Sequence, residues 1–481
     1  MHTIERTDNY FLPPLAGGER REVMRVRLGR LGALAAVAAG AISVVSAPAA
    51  NATVCSNIRG SGSSLQNIAQ KEVWMNTYPE ELKTSGKCTT KPTYEYNSTS
   101  SGTGLKEWGD EGAFGTESPF PAFVGTDVAP EGPAGTAGTQ MNEMDKTGQK
   151  AAGEPNEVTA VPVAQSAIAV IVSLPKKCLV GKTANSPQID TKPLSEEWAK
   201  DTVKLNELVK HIEVKAEAAC EVVPTLEARE KPSGTTAGFK RFMDDIDHTT
   251  WKAFVATPKE AESTNWPFAG TKKESGTGGA LAEKVFNTAG TIGYVDFADA
   301  VAKGFTLRPV KHGTAGEEYY SFISTVQNNG TVEEGATFTS PAEKEETEKA
   351  KFEKIGSNCG GAVYNTKKPE NETETLKVAP NENWSGAKQS NWNGGGAVYP
   401  ICTLTFDVGW QHYGYGSLKA KYEGGTFYTT PKMTAESIEA YFEWIIKIGQ
   451  STKLTEHQYS KLSTSIKTLA EEIDGKGFFK E

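Results

Sequence analysis

The sequence is poor in the residues on which most enzyme sites depend. It has six histidines in 481 residues, and they are scattered singly along the chain. It contains no Gly-x-Ser-x-Gly, His-Glu-x-x-His or Cys-x-x-Cys segment. The usual patterns of a serine hydrolase, a zinc protease and a cysteine metal knuckle are therefore missing. We predict no catalytic residue, no metal and no cofactor, and expect a protein that binds its ligand without changing it.

Basic residues are also in deficit. The chain has 51 Lys and Arg against 60 Asp and Glu, and its formal net charge is −9. Such a surface repels polyanions, which excludes nucleic acid and anionic lipid as expected partners. A small anion can still be held where hydrogen-bond donors are concentrated in one cleft.

No apolar run suits a membrane span. Residues 31–45 are apolar but shorter than the ~20 residues that a spanning helix needs, and they follow a basic stretch after Met24. Ala50-Asn51-Ala52 places small residues where signal peptidase cuts. We predict that residues 1–52 hold an upstream segment and a signal peptide cleaved near Ala52, and that the mature protein is secreted, periplasmic or at the cell surface. The alternative is a lipid anchor on Cys55, although no small residue directly precedes it.

The cysteines indicate disulfide bonds. An even number of cysteines in an exported chain favours a disulfide framework, although sequence alone leaves many pairings open. Sequential pairing is our prediction because each bond would then close a local loop. The predicted pairs are Cys55 with Cys88, Cys178 with Cys220, and Cys359 with Cys402.

Strand-like and helix-like segments alternate, which predicts α/β sheets. Residues 158–174 form an apolar, β-branched run typical of a buried parallel strand. Residues 220–224 and 290–295 are also predicted as strands, and residues 237–246 as a helix opened by Ser233-Gly234-Thr235-Thr236, whose Ser and Thr residues are good N-caps. The length exceeds the roughly 250–300 residues at which a single core stops growing, so two domains are expected.

Four glycine-containing loops with hydroxyl or charged residues each follow a predicted strand. They are residues 60–65, 97–104, 125–127 and 229–236. In open α/β sheets, ligands bind beyond the carboxyl ends of strands, where helix N-termini present free N–H groups that attract anions. Any one of these loops has an ordinary structural explanation. Together they predict an anion site.

In order and content, these loops resemble those of the phosphate-binding proteins of bacterial ABC importers over nearly the whole chain after residue 52. The segments that carry the resemblance are Gly60-Ser61-Gly62-Ser63-Ser64, Ser100-Ser101-Gly102-Thr103-Gly104, Phe123-Val124-Gly125-Thr126-Asp127, Arg229 four residues before Ser233-Gly234-Thr235, the strand at 290–295, and Tyr399-Pro400-Ile401. The resemblance implies an α/β, two-lobed, type II periplasmic-binding-protein-like fold. Each lobe would have a mixed sheet flanked by helices, with the ligand cleft at the hinge.

The resemblance also implies a set of residues that bind inorganic phosphate. These are Ser64, Leu65 through its backbone N–H, Ser101, Asp127, Arg229, Ser233, Gly234 and Thr235. Arginine offers a charged fork that suits two phosphate oxygens. An ionised aspartate can only accept hydrogen bonds, so Asp127 would favour phosphate, which keeps a proton near neutral pH, over sulfate, which does not. Glu230-Lys231-Pro232 departs from the acid and glycine usual in the family, and Glu230 is the candidate partner of Arg229.

The expected lobes are residues 53–157 with 400–481, and residues 158–399, with a long insertion at about 313–396. Phosphate would bridge the lobes and favour the closed state. The closed form would then dock on the membrane permease of an ABC importer, and we expect a monomer. Two other readings stay open. The stronger is a related two-lobed extracellular protein with another anion or a structural or adhesive role, and the weaker is a phosphatase.

Overall fold

The computed structural model describes residues 54–131, 139–151, 154, 156–180, 187–210, 213–214, 220–314, 318–327, 338–342, 356–364, 367–368, 371–375, 384, 387–390 and 398–474. The predicted signal peptide lies outside these residues, and so does much of the predicted insertion.

Mixed α and β elements run throughout this part of the chain. The strands are β1 (Ile58–Gly62), β2 (Tyr94–Ser98), β3 (Phe123–Thr126), β4 (Val158–Pro175), β5 (Leu179–Val180), β6 (Gln188–Ile189), β7 (Val209–Lys210), β8 (Glu213–Val214), β9 (Thr225–Arg229), β10 (Lys272–Ser275), β11 (Thr291–Asp296), β12 (Val310–His312), β13 (Tyr319–Ile323), β14 (Thr325–Gln327), β15 (Phe338–Thr339), β16 (Lys367–Lys368), β17 (Asn371–Thr375) and β18 (Cys402–Trp410). The helices are α1 (Met75–Thr84), α2 (Ser101–Glu107), α3 (Gln140–Thr147), α4 (Thr191–Lys200), α5 (Leu205–Leu208), α6 (Gly234–Ile246), α7 (His248–Trp251), α8 (Pro258–Glu262), α9 (Gly278–Phe286), α10 (Phe297–Lys303), α11 (Gly416–Tyr422), α12 (Pro431–Lys447), α13 (Thr452–Glu456) and α14 (Thr464–Asp474). A π-helical segment, Ala69–Trp74, leads into α1.

One large mixed sheet organises the fold. Its strands follow the order β10, β9, β11, β4, β18, β3, β1, β2, with β13 also paired to β4 and β12 to β13. The pairs of β1 with β2 and β3 are parallel, and so are those of β9 with β10 and β11. Strand β18 runs antiparallel to both β3 and β4. The α/β fold class predicted from the sequence is confirmed.

Strand β4 connects the two groups of strands. Its first part, up to Ala167, pairs with β18, and the part from Ile168 pairs with β11. Residues 158–174 are buried throughout, as the apolar run predicted. The predicted parallel direction is wrong, because β4 is antiparallel to β18, β11 and β13. A strand covered on both faces is apolar whatever the direction of its neighbours, so the pattern reported burial and not partner direction.

Local sequence places the elements that lead to the loops. The strand predicted at 220–224 is wrong: those residues form no strand, and β9 begins after Pro224, which cannot donate to a ladder. Helix α6 buries Phe239, Phe242 and Met243, which share one face at helical spacing. Strand β9 ends at Arg229, and α6 begins five residues later, so the loop between them is short.

The three predicted disulfide bonds are present. Cys55 is bonded to Cys88, Cys178 to Cys220 and Cys359 to Cys402, with Cα–Cα distances of 5.7, 5.2 and 5.7 Å. These separations lie in the usual range for disulfides. The sequential pairing is confirmed. Within the described residues, no helix is both long and apolar enough to cross a lipid bilayer.

Candidate functional site

Asp127 is the first residue after β3, and its side chain is almost fully buried. The Ser63 hydroxyl donates to its Oδ1, and the Thr405 hydroxyl donates to the same oxygen at 2.9 Å. The Ser101 hydroxyl donates to Oδ2 at 3.3 Å. The carboxylate is thus held by hydroxyls from three places: the loop after β1, the start of α2 and strand β18.

Arg229 is the last residue of β9 and is equally buried. Its Nη1 donates to the Ser64 hydroxyl at 2.9 Å and to the Ser233 hydroxyl at 3.1 Å. Its Nη2 donates to the Gly276 carbonyl at 2.6 Å. Within the described part of the chain Arg229 forms no ion pair, and Glu230 is exposed. The Gly276 carbonyl therefore orients the guanidinium, in place of the acid expected at Glu230.

Two helix N-termini face this cluster. The Gly234 N–H, in the first turn of α6, donates to the Ser101 hydroxyl at 3.3 Å. The Gly278 N–H, at the start of α9, donates to the Ser64 hydroxyl at 3.3 Å. The first N–H groups of a helix have no partner inside the helix and carry partial positive charge. Both helices thus direct positive potential at the hydroxyls that flank Asp127 and Arg229.

Hydrogen bonds join most of the predicted binding residues in one buried cluster. Ser64, Ser101, Asp127, Arg229, Ser233 and Gly234 are linked through the contacts above. Thr235 is buried in the first turn of α6. The Leu65 side chain is fully buried among apolar residues, and its carbonyl accepts a hydrogen bond from the Tyr459 hydroxyl. Only the Leu65 backbone N–H can serve a ligand, and that role stays a prediction.

The sequence reasoning missed Ser63, Thr405, Gly276 and Gly278. One signal for the glycines was available, because Ser275-Gly276-Thr277 repeats the tripeptide Ser233-Gly234-Thr235 and also leads from a strand into a helix. Thr405 gave no such signal, since it lies within the apolar strand β18.

Close packing of the loops requires glycine at 234. A Cβ atom added at Gly234 would lie 2.5 Å from the Cβ of Asp127 and 2.9 Å from its backbone nitrogen. These distances are far below van der Waals contact. Any side chain at 234 would push the start of α6 away from Asp127.

Burial raises the pKa values of the carboxyl groups in and around the cluster. It raises the pKa of Asp127 to about 6, against the opposing effects of its hydroxyl donors and of Arg229. Burial, with the nearby charges of Asp127 and Asp110, raises the pKa of Glu262 to about 8. Burial also raises the pKa values of Asp296 and Asp299, which interact with each other. The cluster thus contains the cation of Arg229, the hydroxyl-bound carboxylate of Asp127 and the N-termini of α6 and α9. This combination suits a small anion that carries a proton.

Comparisons with known proteins give a clear structural result. No protein-family model matches the sequence, and no curated protein is similar enough in sequence to count as a relative. Among solved structures, the chain is similar to PfluDING, a high-affinity periplasmic phosphate-binding protein solved with phosphate, with a TM-score of 0.53 and 13% identity over 86% of this chain and 93% of that one. A DING protein is similar with a TM-score of 0.51 and 15% identity, and a human phosphate-binding apolipoprotein with 0.51 and 14%, each over 86% of this chain and 94% of its own.

The fold is that of the two-lobed phosphate-binding proteins. The identities of 13–15% show this shared fold alone. The neighbours are described as binding proteins and not as enzymes. In open α/β sheets, ligands bind outside the carboxyl ends of strands, and the buried cluster lies at the ends of β1, β3, β9 and β10.

Proposed function

We propose that this chain is an extracytoplasmic receptor that captures one inorganic phosphate between its two lobes and delivers it to the permease of an ABC importer. The observation that carries the proposal is the meeting of Arg229 with Asp127 in one buried, hydroxyl-rich cluster at two helix N-termini. Arg229 offsets the negative charge of the anion and donates charge-assisted hydrogen bonds to it. The N–H groups and hydroxyls donate to the remaining oxygens.

Asp127 supplies the selectivity of the proposed receptor. As a carboxylate it accepts a hydrogen bond from a protonated phosphate oxygen. Sulfate has no proton to give at neutral pH, so its oxygen would face a like-charged carboxylate oxygen with no hydrogen bond between them. Asp127 therefore turns a general anion site into one for protonated oxyanions.

The proposed lobes meet at the site. Residues 53–157 with 400–481 contribute Ser64, Ser101 and Asp127, and residues 158–399 contribute Arg229 and the start of α6. A ligand that contacts both groups stabilises the closed arrangement. Export is supported by the three disulfides, which persist in oxidising compartments. Docking on a permease and a monomeric state complete the proposal.

Thermal unfolding tests the proposal. Phosphate at about 100 times its dissociation constant should stabilise the folded chain by about 2.7 kcal/mol, while sulfate at the same concentration and ionic strength should not. The protein should be expressed with its export signal or as residues 53–481 from an oxidising compartment, then stripped of bound ligand. Equal stabilisation by both anions would contradict the selectivity, and stabilisation by neither would favour the structural or adhesive role.

Gly234→Ala should weaken phosphate binding without unfolding the protein. The added Cβ meets the Asp127 backbone across the proposed cleft, so it should oppose closure by an amount typical of overpacking, about 1–3 kcal/mol, or roughly 5- to 150-fold in affinity. The ligand-free melting temperature should change little, because the lobes can separate. Gly279→Ala is the matched control, since a Cβ there lies 3.6 Å from the nearest Asp299 oxygen, an ordinary contact. Wild-type affinity in Gly234→Ala would show that the two loops do not close on the ligand.

A further inference from the structure

A line of buried polar side chains leads from α12 to Asp127. The Tyr441 hydroxyl donates to Gln70 Oε1 at 2.8 Å, and Gln70 Nε2 donates to Gln66 Oε1 at 3.0 Å and to the Asp407 carboxylate. Gln66 Nε2 then donates to the Thr405 hydroxyl at 2.6 Å, and Thr405 reaches Asp127. Gln66, Gln70, Thr405, Asp407 and Tyr441 all have 0% exposure. A buried network of this kind fixes which group donates and which accepts.

The direction of the last step follows from a backbone carbonyl. Gln66 Nε2 also donates to the Phe406 carbonyl at 2.8 Å. A carbonyl can only accept, so the nitrogen of the Gln66 amide, and not its oxygen, faces both partners. The Thr405 hydroxyl must therefore accept from Gln66 and use its single proton elsewhere. Its nearest acceptor is Asp127 Oδ1 at 2.9 Å, ahead of the Thr126 carbonyl at 3.2 Å.

The second hydroxyl on Asp127 Oδ1 is directed in the same way. The backbone N–H of Gln66 donates to the Ser63 hydroxyl at 3.3 Å, and the Ser63 hydroxyl donates to Oδ1. Both hydroxyls at Oδ1 are thus donors, and a proton on this oxygen would have no acceptor. Among the residues that the structure describes, Oδ2 receives only the longer bond from Ser101, at 3.3 Å. Oδ2 is therefore the oxygen with capacity to accept from a ligand.

The glycine of β3 leaves space for this arrangement. A Cβ at Gly125 would lie 2.6 Å from Gln66 Oε1 and 2.4 Å from the Tyr96 hydroxyl. The Tyr96 hydroxyl in turn donates to the Ser63 carbonyl at 2.8 Å. Gly125 thus admits the Gln66 amide between β3 and β18.

We propose that Gln66, acting through Thr405, is a positioning residue that holds Asp127 as an acceptor-only carboxylate and so sets the selectivity of the site for protonated oxyanions. The selectivity part rests on the proposed function, whereas the effect on Asp127 can be measured without a ligand. Other charged and titratable groups also act on Asp127 and must stay unchanged in the test: Arg229, Glu262, Asp296, Tyr96 and Tyr459.

The test compares Thr405→Val, which removes the hydroxyl and keeps the shape, with Thr405→Ser, which restores the hydroxyl. Aspartate labelled with ¹³C at the carboxyl reports the titration midpoint of Asp127 by NMR, with Asp127→Asn for assignment. Loss of a hydrogen bond to the ionised form should raise the midpoint by about one pH unit in Thr405→Val. Thr405→Ser should return it toward wild type, and Gln66→Met should raise it by a smaller amount.

Anion titrations at pH 7 form the second readout. A midpoint raised by one unit raises the ratio of protonated to ionised Asp127 about tenfold, so preference for phosphate over sulfate should fall up to tenfold in Thr405→Val and recover in Thr405→Ser. Gln450→Met is the control, because Gln450 is also buried and donates to a backbone carbonyl, that of Val163, outside this network. Unchanged midpoints in folded Thr405→Val and Gln66→Met would overturn the inference. Wild-type protein that binds neither anion would overturn the proposed function, while the midpoints would still decide the role of Gln66.

Discussion

Replacing Arg229 by alanine should reduce phosphate affinity by about 30-fold or more. The guanidinium is buried and contacts Ser64, Ser233 and Gly276, so it stands where the two proposed lobes meet. Truncating one partner of a buried, charge-assisted contact costs about 2–5 kcal/mol. Calorimetric titration of the variant measures the loss directly.

Two further variants show whether the loss is specific. Arg229→Lys keeps the charge and loses the planar fork, so its affinity should lie between those of wild type and Arg229→Ala. Arg241→Ala removes another arginine, one that lines a small cavity beside the Lys388–Asp245 ion pair. It should keep phosphate binding even if it melts at a lower temperature. Equal loss of binding in Arg229→Ala and Arg241→Ala would mean that general destabilisation is the cause.

Asp127→Asn should remove most of the discrimination between phosphate and sulfate. An amide can donate a hydrogen bond as well as accept one, so a sulfate oxygen would no longer face a like-charged group that can only accept. At pH 8, two units above the Asp127 pKa of about 6, roughly one molecule in 100 has the carboxyl protonated, so we expect the ratio of the two affinities to fall by up to about 100-fold. Parallel titrations with both anions give the ratio.

The pH dependence of wild type should follow the same carboxyl group. Because the pKa of Asp127 is raised to about 6, the group is an acceptor above that pH and becomes protonated below it. Sulfate rejection should thus be strongest above pH 6 and weaken as the pH falls through 6. Asp127→Asn should show no such change, and Asp145→Asn, which alters a buried carboxylate that accepts from the Val158 N–H, should behave as wild type. Sulfate rejection that stays constant from pH 8 to pH 5 would contradict the role given to Asp127.

Much of the site could be predicted because it is built from local motifs at strand ends. Each of the four loops follows a strand, and parallel strands bring their carboxyl ends to one edge of a sheet. Ser64, Ser101, Asp127, Arg229 and Ser233 therefore meet in the structure, although their binding roles remain proposals. The disulfide pairs were predictable for a similar reason, since each joins neighbouring cysteines in the sequence.

Some features of the fold and the site could not be predicted from the sequence, because they depend on residues that are distant along the chain. The burial of β4 was visible in its apolar run, whereas its antiparallel direction depends on β18, which lies more than 200 residues later. Thr405 looks like an ordinary strand residue until β18 is placed beside β3. The acid expected next to Arg229 is replaced by the Gly276 carbonyl, which has no sequence signature of its own.

The most direct test of the central claim is calorimetric titration of ligand-free wild-type protein with phosphate and, separately, with sulfate at pH 8. The account predicts binding of one phosphate per chain, with sulfate giving no heat at the same concentrations. Absence of heat with phosphate from folded protein, or equal binding of the two anions, would contradict it.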